Sequence, residues 1–400
     1  MGPRRLFAWD GTEPIGMFEE RVGGVGFSYS ANYSGAPISL GMPVTGTWPA
    51  QAAERFLESR LPEGAGRIND MRMALGAASS SPFDLLPLTD AVGGIVFTAT
   101  EEPPCRPSLP LSPCSEDELE GRIAAMSRHD GESWWPEDKP HVRFSLAGSQ
   151  GKFSLAWVRP KWHWPSAYLP STHIFKPDSP RFKGSGRVED ASMDLASLTG
   201  AEVAGHGMLR VGNESCYFVK RFDRDVSGFL PRRLRTEELF YSLKLADIDK
   251  YGIEVREVVS LLREAGLDDE VAYEWVEQVM VNMSVGNCDA HMRNYSVFLD
   301  ESPRMTPMYD VLNTMYWPEL EDGFAIMVNG QRMACGEFRP SDWEAEARTC
   351  GLDADRLSSE AVRIARSAVE SLDVVLPSLP ESMRDDFAKG VREANRGMLG

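Results

Sequence analysis

The residues of this 400-residue chain best placed to do chemistry together lie between Val281 and Asp310. Val281-Asn282-Met283-Ser284-Val285-Gly286-Asn287-Cys288-Asp289-Ala290-His291-Met292-Arg293-Asn294 is followed by the strand-like YSVFL and then by Pro307-Met308-Tyr309-Asp310. Asp289 and Asn294 stand five residues apart, and Asp310 follows after one more strand-length segment. In phosphoryl transfer to a hydroxyl, one Asp accepts the hydroxyl proton. An Asn five residues on and a later Asp hold Mg²⁺ across the nucleotide phosphates. Few protein oxygens are needed, because phosphates and water complete the octahedron of Mg²⁺. An isolated Asp-x4-Asn would be a turn or a cap. Here Gly-Asn-x-Asp-x-His-x-x-Asn, a strand and Tyr-Asp come in fixed order, which favours catalysis.

Two upstream stretches could complete such a site. Phe144-Ser145-Leu146-Ala147-Gly148-Ser149-Gln150-Gly151-Lys152-Phe153 reads as strand, tight turn, strand. Gly148 and Gly151 let backbone amides approach an anion, and Ser149, Gln150 and Lys152 complete a candidate phosphate loop. Taken alone it is an ordinary hairpin turn, and it lacks the G-x-G-x-x-G of the large kinase family. Lys176 ends the strand-like THIFKP and alternates with His173 and Phe175, which could aim its ammonium at one face of a sheet. Its partner would be a helix carboxylate, with Glu189 the nearest candidate. Without the other matches, Lys176 would be a surface lysine.

The elements that must position these groups follow from periodicity. A helix capped by Asp268 or Asp269 precedes the Asp289 loop, and a strand follows it. Short β-like runs (LFAWD, GVGFSYS, GGIVFT) and one helix over Ala52–Glu63 make a small module at 1–105. Residues 106–140 are rich in Pro and acids and suit a connector with one short helix. Strand-like runs (VRFSLAG, KFSLAWV, THIFKP, MLRV, CYFVKRF) dominate 141–227, with a helix over ASMDLASLTG. From 228 to 400 the three- and four-residue spacing of apolar residues is helical, as in EELFYSLKLADI and ESMRDDFAKGVREAN.

Composition narrows the classes. The net charge of −18 and pI near 4.9 repel nucleic-acid phosphates, so tight autonomous DNA or RNA binding is not expected. Cys105, Cys114, Cys216, Cys288, Cys335 and Cys350 form no CxxC pair and have no His at metal spacing, so six reduced thiols are expected rather than a zinc site or a disulfide framework. No signal segment and no uninterrupted apolar run of membrane length is seen, which leads us to expect a cytoplasmic location and no membrane partner.

Together these residues resemble the HipA family, toxin kinases encoded beside a helix-turn-helix antitoxin, over nearly the whole chain. GTEPIGMFEE, FSYSANYSGAPISLGMPV and AAERFLESRLPEGAGRINDM are similar to that family's opening domain; RFSLAGSQGKFSL to its phosphate loop; THIFKP to its lysine strand; and VKRFDRD to its adenine-side hinge. RTEELFYSLKLADIDKY, GNCDAHMRNYSVF and TPMYDV complete the series. The resemblance implies an α+β, protein-kinase-like bilobal fold, with an α/β N-terminal part carrying mixed sheets and an all-helical C-terminal part. It implies ATP and Mg²⁺ as cofactors, Asp289 as catalytic base, and Asn294 and Asp310 as metal ligands. Lys176 becomes the phosphate-contacting lysine, Lys220 to Phe222 the hinge around adenine, and His291 a residue that orders the catalytic loop.

It further implies autophosphorylation in the Ser145–Gln150 loop, with Ser145 at the matching position and Ser149 a second hydroxyl. A phosphate placed there would repel the nucleotide and silence the enzyme. The implied partners are a HipB-like antitoxin, operator DNA reached only through it, and a protein substrate such as an aminoacyl-tRNA synthetase. A corepressor scaffold and a small-molecule kinase are the alternatives; the intact Lys176, Asp289, Asn294 and Asp310 set speaks against a dead scaffold. Three departures stand out. LTDAVGGIVF differs from the family's glycine-rich signature in its leading residues and is expected to bear on antitoxin contact. Lys220 replaces a common Glu, and Arg293 a common Lys that could neutralise a phosphate.

Overall fold

A computed structural model describes residues 3–62, 64–90, 92–104, 111–128, 142, 151–166, 168–178, 181–242, 252–300, 302–320 and 323–400. Ser145, Gly148, Ser149 and Gln150, the strand expected over VRFSLAG, Cys105 and the Trp134-Trp135 pair lie outside the described residues. The chain forms two compact units, residues 1–183 with 207–237 and 298–301, and residues 184–206 with 238–297 and 302–400.

In the first unit, β1 (Arg5–Asp10), β2 (Glu13–Arg21), β3 (Gly24–Tyr29) and β4 (Val96–Thr98) form a sheet in the order β3-β2-β1-β4. Alternation buries Leu6 and Ala8 on β1 and, opposite them, Phe18 and Gly16 on β2, the period expected of a half-covered sheet. α1 (Ala52–Glu58), α2 (Ala65–Leu75) and α3 (Pro82–Leu85) complete the module, with Phe56 and Leu57 in the shared core.

A six-stranded sheet follows in the order β5-β7-β6-β8-β10-β9, from β5 (Ser112–Pro113), β6 (Phe153–Val158), β7 (Lys161–Trp164), β8 (His173–Lys176), β9 (His206–Val211) and β10 (Glu214–Lys220). The Pro- and acid-rich segment contributes α4 (Glu116–Arg128), which buries Leu119, Ile123 and Met126. Its start is a Ser-x-x-Glu capping box: Ser115 N donates to Glu118 Oε2 (2.8 Å) and Glu118 N to Ser115 Oγ (3.2 Å). A short β11 (Arg224–Asp225) and β12 (Arg232–Arg233) pair antiparallel. Trp162 and Trp164 are packing residues: Trp162 is tilted against Trp157 and edge-on to His173 and Phe175, and Trp164 lies near Phe153.

The chain enters the second unit along β13 (Thr236–Glu238). EELFYSLKLADI is expected to be helical from its first residue, yet Glu237 and Glu238 are in strand and the described helix there is α6 (Leu239–Ser242), preceded in this unit by α5 (Ser185–Leu198). The buried side chain of Glu237 accepts from Leu40 N (2.8 Å) within the first unit, a long-range tie that overrides local helix propensity. Then come β14 (Ile253–Glu254), α7 (Val255–Glu264), α8 (Asp269–Val285), β15 (Ser296–Phe298), β16 (Arg304–Met305), β17 (Ile326–Met327), α9 (Pro340–Cys350), α10 (Ala354–Glu370), α11 (Leu372–Val375), α12 (Glu381–Ala394) and α13 (Arg396–Leu399). Helices dominate, and the short strands join loops, as where β14 pairs parallel with β17.

α8 is the spine of this unit. Asp268 caps it by accepting from Val271 N (3.2 Å), and every residue from Val279 to Val285 is buried, as in a helix covered on all sides. No helix among the described residues is long and apolar enough to cross a membrane.

Candidate active site

Helix α8 must stop at Gly286 for the loop behind it to form. Gly286 adopts φ +86°, and a Cβ there would sit 2.9 Å from Asn313 Oδ1, so both conformation and space demand glycine. Thr314 braces the turn: its N and Oγ1 donate to Gly286 O (3.0 and 3.1 Å), and its Oγ1 accepts from Cys288 N (2.9 Å).

Asn287 is the knot of the loop. Its buried Nδ2 donates to Asn282 Oδ1 (2.8 Å) and to Asp310 O (3.2 Å), while Asn282 Nδ2 donates to Gln278 O (3.0 Å) and reaches Tyr295 Oη (3.4 Å). A single side chain thus ties the Asp289 loop to the main chain at Asp310. Downstream, His291 N donates to Asp289 O (2.7 Å) and Asn294 N donates to His291 O (2.8 Å), so the main chain of His291 spaces Asp289 from Asn294. Asp289 is exposed, while His291 and Asn294 are half-buried.

A second tie runs through Tyr309, whose hydroxyl donates to Arg293 O (3.2 Å) and lies 2.7 Å from Ser296 Oγ. Burial, aided by Glu238, pushes this phenol well above its ordinary range, so it stays protonated and remains a donor. Asp310 itself is exposed and adopts φ +59°. Among the described residues the other non-glycine at positive φ is Asn329, and Asn329-Gly330 forms a two-residue turn between Val328 and Gln331. Asp310 lies in no such turn. A left-handed Asp, one of the few side chains to tolerate that region, often marks a functional position.

Asn313 N donates to Ser192 Oγ (2.9 Å), which ties α5 to the segment that follows Asp310. Glu189, buried one turn earlier on α5, therefore belongs to the same unit as Asp289, Asn294 and Asp310. Two oxygen donors, Asn294 and Asp310, on hydrogen-bonded segments suit a hard cation that also takes phosphate oxygens.

The remaining candidates belong to the first unit. Lys176 is buried at the end of β8, opposite Tyr217 in β10, with its Nζ 5.9 Å from that ring; it is no surface lysine. Gly151 and Lys152 lead into β6. Lys220 is exposed at the end of β10 opposite His173, and Phe222 is half-buried with its ring 6.3 Å from Phe298. Burial, with the Lys220 charge, pulls His173 down to about 4, so it is neutral near pH 7.

Two buried charges have partners that sequence reasoning did not find. Arg293 is buried, and its guanidinium donates to Glu238 Oε1 and Oε2 (2.9 and 3.4 Å), which fastens the loop. Asp90, in the divergent LTDAVGG, is wholly buried. It accepts from Ser171 N and Oγ (both 2.9 Å), Arg224 Nη2 (3.1 Å) and Arg233 Nε (2.9 Å). Asp223 in turn accepts from Arg221 (2.9 and 2.8 Å) and Arg224 (2.7 Å). VKRFDRD is therefore anchored by a buried ion network that no local pattern announces.

Two family models match: the HipA N-terminal domain over residues 6–97 and the HipA-like C-terminal domain over residues 144–372. The serine/threonine-protein kinase toxin HipA of Shewanella oneidensis is 28% identical over 378 residues, covering 88% of this chain and 84% of that one. Among solved structures, HipA from the Shewanella oneidensis complex of HipA, HipB and operator DNA superposes with a TM-score of 0.83 at 23% identity, over 99% of this chain and 97% of that one. That likeness establishes the α+β fold.

Proposed function

Because the chain belongs to the HipA family of serine/threonine protein kinases, we propose that it is the toxin of a toxin–antitoxin pair, transferring the γ-phosphoryl group of ATP to a protein hydroxyl. The observation that carries this reading is the hydrogen-bonded knot at Asn287, which fastens the Asp289 loop to a left-handed Asp310. Asp289, exposed on a braced loop, accepts the proton of the incoming serine or threonine hydroxyl. Asn294 and Asp310 would hold Mg²⁺, which when bound would offset charge on the phosphates. Lys176 is the lysine of the set for those phosphates, and Glu189 its helix carboxylate. Gly151 and Lys152 belong with Gly148, Ser149 and Gln150 to the phosphate loop, and Lys220 to Phe222 line adenine. The partner is a DNA-binding antitoxin of the HipB kind, the substrate a translation component such as an aminoacyl-tRNA synthetase, and Ser145 or Ser149 the site of self-limiting phosphorylation.

The test incubates purified protein with γ-labelled ATP, Mg²⁺ and a cell lysate, followed by phosphopeptide mass spectrometry. Mg²⁺-dependent label is expected on a translation protein and within Ser145–Gln150. ATP consumption with no protein gaining phosphate would transfer the case to a small-molecule kinase, and neither event would leave a scaffold.

Asn287→Ala gives a sharper check on the metal assignment. It removes the tie to Asp310 O and leaves Asn282 Oδ1 short of a donor, a cost of about 1–3 kcal/mol in stability. The Mg²⁺ concentration for half-maximal rate is expected to rise roughly 10–100-fold, as when the groups that orient metal ligands are removed. Reduced stability with an unchanged Mg²⁺ profile would show that Asn287 supports the fold but not the metal ligands.

A further inference from the structure

Next to the proposed catalytic base the structure places two thiols in contact. Cys288 Sγ lies 3.3 Å from Cys335 Sγ, and both residues are buried in the second unit. Cys335 opens the short helical turn Cys335–Glu337, on which α13 packs, and Cys288 sits between Asn287 and Asp289. Cys335 also lines a small cavity with Met280, Met283, Phe338, Trp343 and Asn395.

We propose that Cys288 and Cys335 are a modification site, closing to a disulfide under peroxide and thereby switching off phosphotransfer. One thiol is oxidised by hydrogen peroxide to a sulfenic acid, releasing a water. The other thiol attacks that sulfur, forming the S–S bond and releasing a second water. The two cysteines thus lose two protons and two electrons, and the peroxide is reduced to two waters; a dithiol reductant reverses the step. A resolving thiol already in contact traps the sulfenic acid before further oxidation, because the second step is intramolecular. Two other described cysteines are engaged differently: Cys216 Sγ donates to Tyr217 O, and Cys350 Sγ to Glu346 Oε1. Burial pushes both of those thiols up, Cys350 to about 12.

Closure has a mechanical consequence. A disulfide holds its sulfurs about 2.0 Å apart, so the two sulfurs must draw together by roughly 1 Å from the present 3.3 Å. Cys288 N is held by Thr314 and its neighbour Asn287 by Asn282, so the strain falls on the turn that sets Asp289. Misplacement on that scale costs a reacting group roughly 10²-fold in rate. The effect on activity rests on the kinase reading above; the cross-link does not.

The full-length protein is treated with hydrogen peroxide, alkylated, and digested without reductant. A peptide joining Cys288 to Cys335 is expected, with phosphotransfer reduced roughly 10²-fold and restored by dithiothreitol. Cys335→Ala and Cys335→Ser should form no such peptide and keep their untreated activity under the same dose. Absence of the joined peptide overturns the proposal, as does a cross-linked protein of undiminished activity, or a loss shared by the Cys335 variants that dithiothreitol does not reverse. If the untreated protein shows no kinase activity, the joined peptide and slowed hydrogen exchange over residues 286–294 still test the cross-link.

Discussion

Asp289→Asn is expected to lower protein phosphorylation by roughly 10²–10⁴-fold and to abolish growth inhibition on expression, in a protein that still folds. The side chain is exposed, so the substitution removes no core packing. The main-chain oxygen of Asp289, which accepts from His291 N, is untouched. What disappears is the carboxylate that accepts the hydroxyl proton. Asp310→Asn provides a parallel case, since Asn tolerates φ +59° as well as Asp does, so the backbone conformation should persist. Its rate should fall together with a raised Mg²⁺ requirement. His291→Ala should act more mildly, because the main chain of His291 spaces Asp289 from Asn294. Assays with γ-labelled ATP on the three variants, beside thermal melts, decide the matter. An Asp289→Asn protein as active and as toxic as wild type would show that catalysis at this residue is not the source of either property.

Much of this loop was legible in the sequence because its signals are local. Asp268 precedes an apolar run and caps α8, Gly286 ends the helix, and the strand-like YSVF follows and becomes β15. Lys176 was legible through alternation along a strand. The residues missed are those whose partners lie far along the chain. Asn287 is one letter of a motif until its amide is seen on Asp310 O, and nothing local announces that Arg293 pairs with Glu238. Glu238 was hidden by helix propensity in EELFYSLK, which the strand at Thr236–Glu238 overrides. Asp90 is harder still: its partners at positions 171, 224 and 233 share no period with it, and a lone Asp before Ala-Val-Gly-Gly reads as a turn residue.

That buried network carries the second large effect. Asp90→Ala is expected to destabilise the first unit by about 3–5 kcal/mol, the cost of removing one partner from a buried ion pair. Arg224 and Arg233 would each lose a carboxylate oxygen, and Ser171 N and Oγ would lose their acceptor. Arg221 and Arg224 would keep Asp223, while Arg233 would lose the acid it pairs with in this network. Against a typical total of about 5–15 kcal/mol, a loss of that size should be plain in urea denaturation. Acid should act on the same groups. Burial favours protonation of Asp90, but Arg224, Arg233 and Arg221 outweigh it and hold the carboxyl well below its usual range; in Asp223 burial is likewise outweighed by Arg221 and Arg224, which hold it at about 2. Depressed folded-state values stabilise the native form above the unfolded value of about 3.9 and lose that contribution as pH falls below it. Wild-type stability should therefore drop between about pH 4 and pH 2, and Asp90→Ala should show a shallower drop. Because the network anchors the segment from Lys220 to Asp225, the variant should also bind ATP more weakly at temperatures where it remains folded. Denaturation midpoints for the two proteins that coincide at pH 7 would mean that the three arginines do not need Asp90, and the anchoring role would fall with it.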